Sequence, residues 1–532
     1  MPMSTTEPWR HALRRATLAA GLALALGAGP VLALPAEAAP AAGAPADERV
    51  EAGTTGVQAT AAGATAGAAT SAGAAAKAAT LSSTLSGILN DSRSKTETDV
   101  SVLDAKTGAV VYARRATSAG MPASNNKILT AVAAMHELGP DYRFTTDVVR
   151  RGTVTDGVLK GDLYLIGKGY PTSRQSDYAA LAKAVKAAGI TSVTGKVVAD
   201  GSFFDSQRYN PGWYTSYASE YYAAQTAALT VAPNSDLDSG TVLVNVKGGA
   251  RGKRPTLTTT PAAAKKYVRL VNSATTMGST SLSLSRQLGG NAITVRGHVR
   301  SGGSWSGLVT VDKPELYAAA VFRAELDKQK VKIKGGTSLG TTPASGRTRV
   351  ARDRSITLTQ LLVPFLKLSN NMHAEALTKT MGARGGKPGS WKAGTARTTA
   401  YVRSLGVPTP GFSLTDGSGV SRKDRVSPLT LASVLVKVRD EPWWSEFDAG
   451  LPVAGKNTHL GGGTLRHRMT GTRAANNAHA KTGSLTGVTA LSGYVTGRDG
   501  RRYAFSLISN YSGATPRPVE NEVVVALAGW RG

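Results

Sequence analysis

Between residues 81 and 145 the apolar positions change period twice. Leu81 to Leu89 are spaced for a short helix. Asp99 to Leu103 and Ala109 to Tyr112 then read as strands, joined by Asp104-Ala-Lys-Thr-Gly108, which predicts a hairpin with glycine at its turn. After Pro122 the period returns to a helical one: Ile128, Leu129, Val132, Ala133 and Met135 lie on one stripe of a buried helix beginning near Ser124. Residues 146 to 344 have another texture. Short alternating runs such as Asp162 to Ile166 and Val242 to Val246 are separated by Gly- and Thr-rich turns, with helical stretches at Tyr178 to Ala188 and Lys313 to Gln329. From Ile356 helical patterns dominate, until Leu491 to Thr496 and Tyr503 to Asn510 predict a second hairpin around Arg498-Asp-Gly500 and an amphipathic helix runs from Val519 to Trp530. The expected fold is an α/β unit with an antiparallel sheet flanked by helices, built from residues 81–145 and 345–532 and split by a largely β insertion at 146–344.

The first residues carry a different signal. Arg10, Arg14 and Arg15 precede the apolar run Leu18 to Leu34, which Gly27, Gly29 and Pro30 interrupt and Ala36-Glu37-Ala38 closes. This reads as an export signal over residues 1–38; the interrupted run falls short of the roughly 20 apolar residues of a membrane span. Residues 39–80, nearly all Ala, Gly, Thr and Pro, read as a flexible tether. The expected location is outside the cytoplasm, at or near the cell envelope. A chain of 532 residues with 63 Lys and Arg against 35 Asp and Glu has a net charge of +28, and removing residues 1–38 leaves +27. Such charge favours anionic partners, among them anionic wall polymers, but no aromatic-interleaved basic stripe points to nucleic acid. With no cysteine, thiol catalysis and Cys-ligated zinc are excluded, and the seven histidines show no ligand spacing, so neither metal nor cofactor is expected.

The chemistry lies in three short segments. Ser124-Asn-Asn-Lys127 opens the helix after Pro122, placing a hydroxyl and an amine one turn apart beside free backbone N–H groups. Ser369-Asn-Asn371 sits between two helical runs, and Lys481-Thr-Gly-Ser484 leads into a strand. Each has a decoy: Ser92 to Lys95 repeats the first spacing in a polar stretch, Ser124-Asn-Asn126 fits the second, and Lys106-Thr-Gly108 fits the third in a hairpin turn. Gly336-Thr-Ser338-Leu-Gly340 matches a nucleophile elbow but is followed by Thr341, Thr342 and Pro343 where a helix is required. The ordered set of helix start, inter-helix turn and strand start is the informative feature.

On that set the sequence resembles the D-alanyl-D-alanine carboxypeptidase/endopeptidase family, the class C low-molecular-mass penicillin-binding proteins. Asp416-Gly-Ser-Gly-Val-Ser421, Leu451 to Gly455 with Gly463-Thr-Leu465, and Ala374-Glu375-Ala376-Leu377 strengthen the likeness, which covers about residues 85 to 530. Asn370, Ser484 and Tyr170 depart from the family pattern without removing a reacting group. The resemblance implies hydrolysis of peptidoglycan stem peptides ending in D-Ala-D-Ala, with β-lactam antibiotics as inhibitors. It implies Ser124 as nucleophile, Lys127 as base made neutral by burial and by nearby cations such as Lys481, Ser369 as proton relay and Asn371 as substrate and lysine anchor. Lys481, Thr482, Gly483 and Ser484 would bind the terminal carboxylate and complete the oxyanion hole. Glu220 is a candidate reader of a stem-peptide amine, with a plain surface carboxylate as the alternative; His479 is a candidate cleft residue, with an exposed strand histidine as the alternative. Carboxypeptidase, endopeptidase and transpeptidase actions share this acyl-enzyme. The competing readings are a serine β-lactamase and a non-catalytic wall- or polyanion-binding protein.

Overall fold

A computed structural model of the chain describes residues 80–94 and 97–531. The expected export signal, and the tether up to residue 79, lie outside these residues; Thr80 already belongs to a helix over 80–89. Lys95, half of the Ser92 decoy, is also outside them. Among the described residues no helix is long and apolar enough to cross a membrane.

A five-stranded antiparallel sheet organises the unit that carries the three motifs. Its order is His479–Leu485, Val488–Thr496, Arg502–Asn510, Thr98–Asp104 and Val110–Arg114, so the last hairpin pairs with the first. Both hairpins turn on glycines with positive φ, Gly108 (75°) and Gly500 (77°). The two faces are read off the alternation. Ala490, Tyr494, Ala504 and Ile508 point into a core with the helices Asn126–Leu138, Leu358–Lys367, Asn371–Ala383 and Pro428–Lys437. Leu491, Val495, Phe505 and Leu507 point the other way, against helix 80–89 and the terminal helix Arg517–Gly529. Cover on both sides explains why Val488 to Val495 is buried without interruption. The helix Asn126–Leu138 is likewise buried through its first ten residues, beyond the single stripe expected.

The insertion builds a separate core. Strands Thr145–Thr155, Val158–Gly167, Val197–Asp200 and Arg347–Arg354, with short edge strands, form a mixed sheet, and the helices Gln175–Ala187 and Pro314–Lys328 cover one face of it. Two three-stranded sheets spanning 241–310 pack into the same cluster. The sequence reading closes the insertion at residue 344, whereas its sheet runs on to Arg354, because Arg347–Arg354 pairs with Thr145–Thr155. Ser338 sits in a short edge strand beside Val197–Ala199, not at an elbow.

Candidate active site

Ser124 lies in a 3-10 turn, Ala123–Asn125, that feeds the helix Asn126–Leu138. The turn is tightly enclosed. Ala123 has φ 45°, a conformation costing an alanine about 1 kcal/mol. A Cβ on Gly483 would lie 2.7 Å from the Pro122 carbonyl oxygen, and one on Gly419 would overlap the carbonyl of Ala123. Glycine at these two positions lets the Lys481 strand and the Asp416–Ser421 loop close on the turn.

The three motifs converge. Lys127 Nζ is 2.9 Å from Ser124 Oγ and donates to Asn371 Oδ1 (2.6 Å) and the Ser418 carbonyl (2.8 Å). Lys481 Nζ donates to Ser369 Oγ (2.8 Å) and to the Thr482 carbonyl (2.7 Å). Thr482 Oγ1 meets Thr464 Oγ1 at 2.8 Å, and Ser484 Oγ accepts from Arg517. Both lysines are fully buried. Burial lowers Lys127 to about 7, against the opposing pull of Asp416 and Glu375. Burial also drives Lys481 well down, and the charge of Lys127 pushes it further. Of the two causes expected to neutralise Lys127, burial is the chief one, while Lys481 is not among the causes acting on Lys127 and is itself depressed.

Ser369 owes its position to a helix end. Asn370 N donates to Phe365 O (3.0 Å) and Ser369 N to Leu366 O (3.3 Å), the paired bonds of a Schellman cap. Glycine usually fills the left-handed site of that cap, yet here Ser369 holds φ 59°, so about 1 kcal/mol of strain is retained to aim a hydroxyl at Lys481. Asn370 then caps the next helix by accepting from His373 N. Its amide also donates to the Asp236 and Leu237 carbonyls, so Asn370 ties this turn to the insertion.

Behind Lys127 stands a buried acidic layer. Glu375 accepts from Trp391 Nε1, Gly417 N and Ser418 N, fixing the backbone just ahead of the Ser418 carbonyl that meets Lys127. Asp416 accepts from Trp213 Nε1, Gly419 N and Ser421 N. Desolvation, then the charge of Asp416, raises Glu375 to about 7. The insertion supplies another wall: Asn371 Nδ2 donates to the Tyr222 carbonyl (2.6 Å), and Trp213, Ala223 and Ala224 pack on Met372 and Val420. Glu220 precedes the 3-10 turn Tyr221–Ala223, exposed at the rim two residues from Tyr222, with its carboxyl raised by partial desolvation. His479 is not brought to the cluster; its Nδ1 pairs with Asp448 at 3.0 Å. His136 stacks on Tyr401, and the Lys106-Thr-Gly108 decoy is a turn whose amides are held by Asp104.

Sequence reasoning had singled out the Asp416–Ser421 and Ala374–Leu377 stretches without giving them a task. It missed Tyr222 and Ser418 as acceptors, because a backbone carbonyl has no residue-type signature. The glycines that flank Ser418 were the available signal for the latter. Among the described residues no group of His, Asp and Glu could hold a metal.

A helix-flanked antiparallel sheet with a serine and two buried lysines at its edge is the architecture of the penicillin-binding, DD-peptidase and β-lactamase class. The fold matches penicillin binding protein 4 from Haemophilus influenzae with a TM-score of 0.72 and 24% identity, covering 83% of this chain and 98% of that one. A form of that protein complexed with a β-lactam matches at 0.68 and 23% identity, with the same coverage. The sequence matches the D-Ala-D-Ala carboxypeptidase 3 (S13) family over residues 81–529. It is 39% identical over 446 residues, 81% of each chain, to a D-alanyl-D-alanine carboxypeptidase of Actinomadura sp. (strain R39). The chain belongs to the S13 family and is a serine-type D-Ala-D-Ala carboxypeptidase.

Proposed function

We propose that the protein is exported and trims peptidoglycan stem peptides through an acyl-Ser124 intermediate that β-lactams trap. One observation carries the mechanism. A neutral amine has two N–H donors and one lone pair; the oxygens of Asn371 and Ser418 take the donors, which leaves the lone pair for the Ser124 hydroxyl 2.9 Å away. At about 7, the depressed Lys127 is neutral in a large fraction of molecules near neutral pH.

Ser124 Oγ attacks the penultimate D-Ala carbonyl carbon while its proton passes to Lys127 Nζ. The tetrahedral oxyanion is held by the backbone N–H groups of Ser124 and Ser484. Collapse breaks the C–N bond, and the departing D-Ala amine takes a proton through Ser369 from the lysine pair. Water then opens the ester with the proton flow reversed. The terminal carboxylate is met by Lys481 and Thr482. Because burial and Lys127 disfavour the Lys481 ammonium in the free site, arrival of an anion restores its charge. Asn371 supports the substrate backbone from a side chain already fixed by Tyr222 and Lys127.

Labelling of the purified protein with a fluorescent penicillin tests this. Stable label on wild type and none on Ser124→Ala is expected; label persisting on the variant overturns the assignment, and rapid release from wild type favours the β-lactamase reading. Export rests on the pattern of residues 1–38, and mass spectrometry of secreted protein should find an N-terminus at Ala39.

A further inference from the structure

The insertion's mixed sheet has one face covered by helices, and on the other Val149, Tyr164 and Val198 are buried in a small cluster of their own. On that second face a cavity of about 450 Å³ is lined by Asp147, Lys168, Thr342 and three arginines, Arg347, Arg349 and Arg352. A strand that alternates strictly cannot put 347, 349 and 352 on one side. A β-bulge between Arg349 and Ala351 does so: Arg347 pairs with Arg151, Arg349 with Val149, and after the bulge Arg352 pairs with Asp147. Arg347 therefore faces Arg151 directly across the ladder, a like-charge arrangement that costs stability unless an anion sits nearby.

The acidic groups at this face are already engaged. Asp147 accepts two bonds from Arg352, at 2.5 and 2.8 Å. Asp200 accepts from Ser202 N, Ser202 Oγ and Thr342 N. Lys168, Arg151, Arg347 and Arg349 have no ion-pair partner among the described residues. An independent sign comes from Thr342, which is 92% buried and whose Oγ1 has no hydrogen-bond partner among the described residues; a buried hydroxyl left so costs free energy. Val149, Ile166 and Phe203 give the cavity an apolar floor.

We infer that this face is a second binding site, separate from the Ser124 cleft, that takes a phosphate group. Lys168, Arg347 and Arg349 in the lining, with Arg151 beside Arg347, suit a doubly charged or repeating anion, the guanidinium forks of Arg347 and Arg349 match phosphate oxygens, and the Thr342 hydroxyl adds a donor in the cavity wall. The ligand is either a polyol-phosphate chain of the wall, with charges repeating along it, or free phosphate.

Calorimetric titration of the whole mature protein with inorganic phosphate and with a poly(glycerol phosphate) oligomer, at fixed ionic strength against chloride, tests the site. Phosphate is expected to bind, and Thr342→Val and Arg349→Ser each to weaken it by roughly 10-fold, with penicillin labelling of Ser124 unchanged in both variants. Oligomer binding at a phosphate concentration far below that of the free ion identifies the polymer as ligand; equal concentrations identify free phosphate. Phosphate binding no better than chloride, or equal binding by wild type and both variants, overturns the inference. Since labelling reports the Ser124 chemistry separately, failure of this site leaves that reading intact.

Discussion

Two buried lysines, one in the first turn of a helix and one on a strand, meet at the cleft in opposite surroundings. Lys127 is enclosed by carbonyl oxygens with carboxylates behind them, so every group around it is fixed by the fold. Lys481 touches one strained serine and its own strand's backbone, with no carboxylate among the causes acting on its pKa. Desolvation depresses both, yet only Lys127 has its counter-charges built in. In the proposed mechanism this suits their parts: the base, Lys127, must be ready before substrate arrives, whereas the clamp, Lys481, gains by acquiring its charge from the substrate.

That contrast can be broken most severely at the base. Lys127→Met is expected to slow acylation by penicillin by about 10³-fold at every pH, measured as the second-order labelling rate. Lys481→Met should cost less, about 10²-fold, and its deficit should fall on ligands with a carboxylate; on an amidated substrate analogue the variant and wild type should converge. Equal losses on both ligands would remove the distinction between the lysines. A smaller effect sharpens it further. Wild-type acylation should rise through an apparent pKa of about 7, because the ammonium form of Lys127 cannot accept the serine proton. Glu375 favours that ammonium, so Glu375→Gln should move the rising limb to lower pH; a shift to higher pH would contradict the arrangement. The smallest effect concerns Ser369. Both Ser369→Gly and Ser369→Ala lose the proposed relay hydroxyl, but glycine accepts the left-handed cap without strain, so its variant should be about 1 kcal/mol more stable to urea at equal activity.

The side chains of the proposed mechanism were legible because each belongs to a motif whose element type can be read locally: a helix after Pro122, a turn between helices, a strand after Ala480. Their convergence was not a local property, and it is carried by pairings between the ends of the chain, Thr98–Asp104 with Arg502–Asn510. Backbone contributions were invisible in type and place, as at Tyr222 and Ser418. The Schellman cap was hidden because a serine occupies a glycine's position. The insertion's end at Arg354 was misplaced by ten residues because Arg347 to Arg354 is almost wholly polar, so no alternation marks it as a strand. His479 drew attention through its spacing from Lys481, but Asp448 on the helix Trp444–Gly450 captures it.

The amide of Asn371 is held between Lys127 and a carbonyl belonging to the inserted segment. Trimming the chain to a minimal peptidase, by splicing residue 144 to residue 355, would therefore keep every reacting side chain and still leave this amide free to rotate. Such a miniature should fold on its own sheet yet react sluggishly, so the segment cannot be exchanged between homologues as a cassette without retuning the catalytic edge.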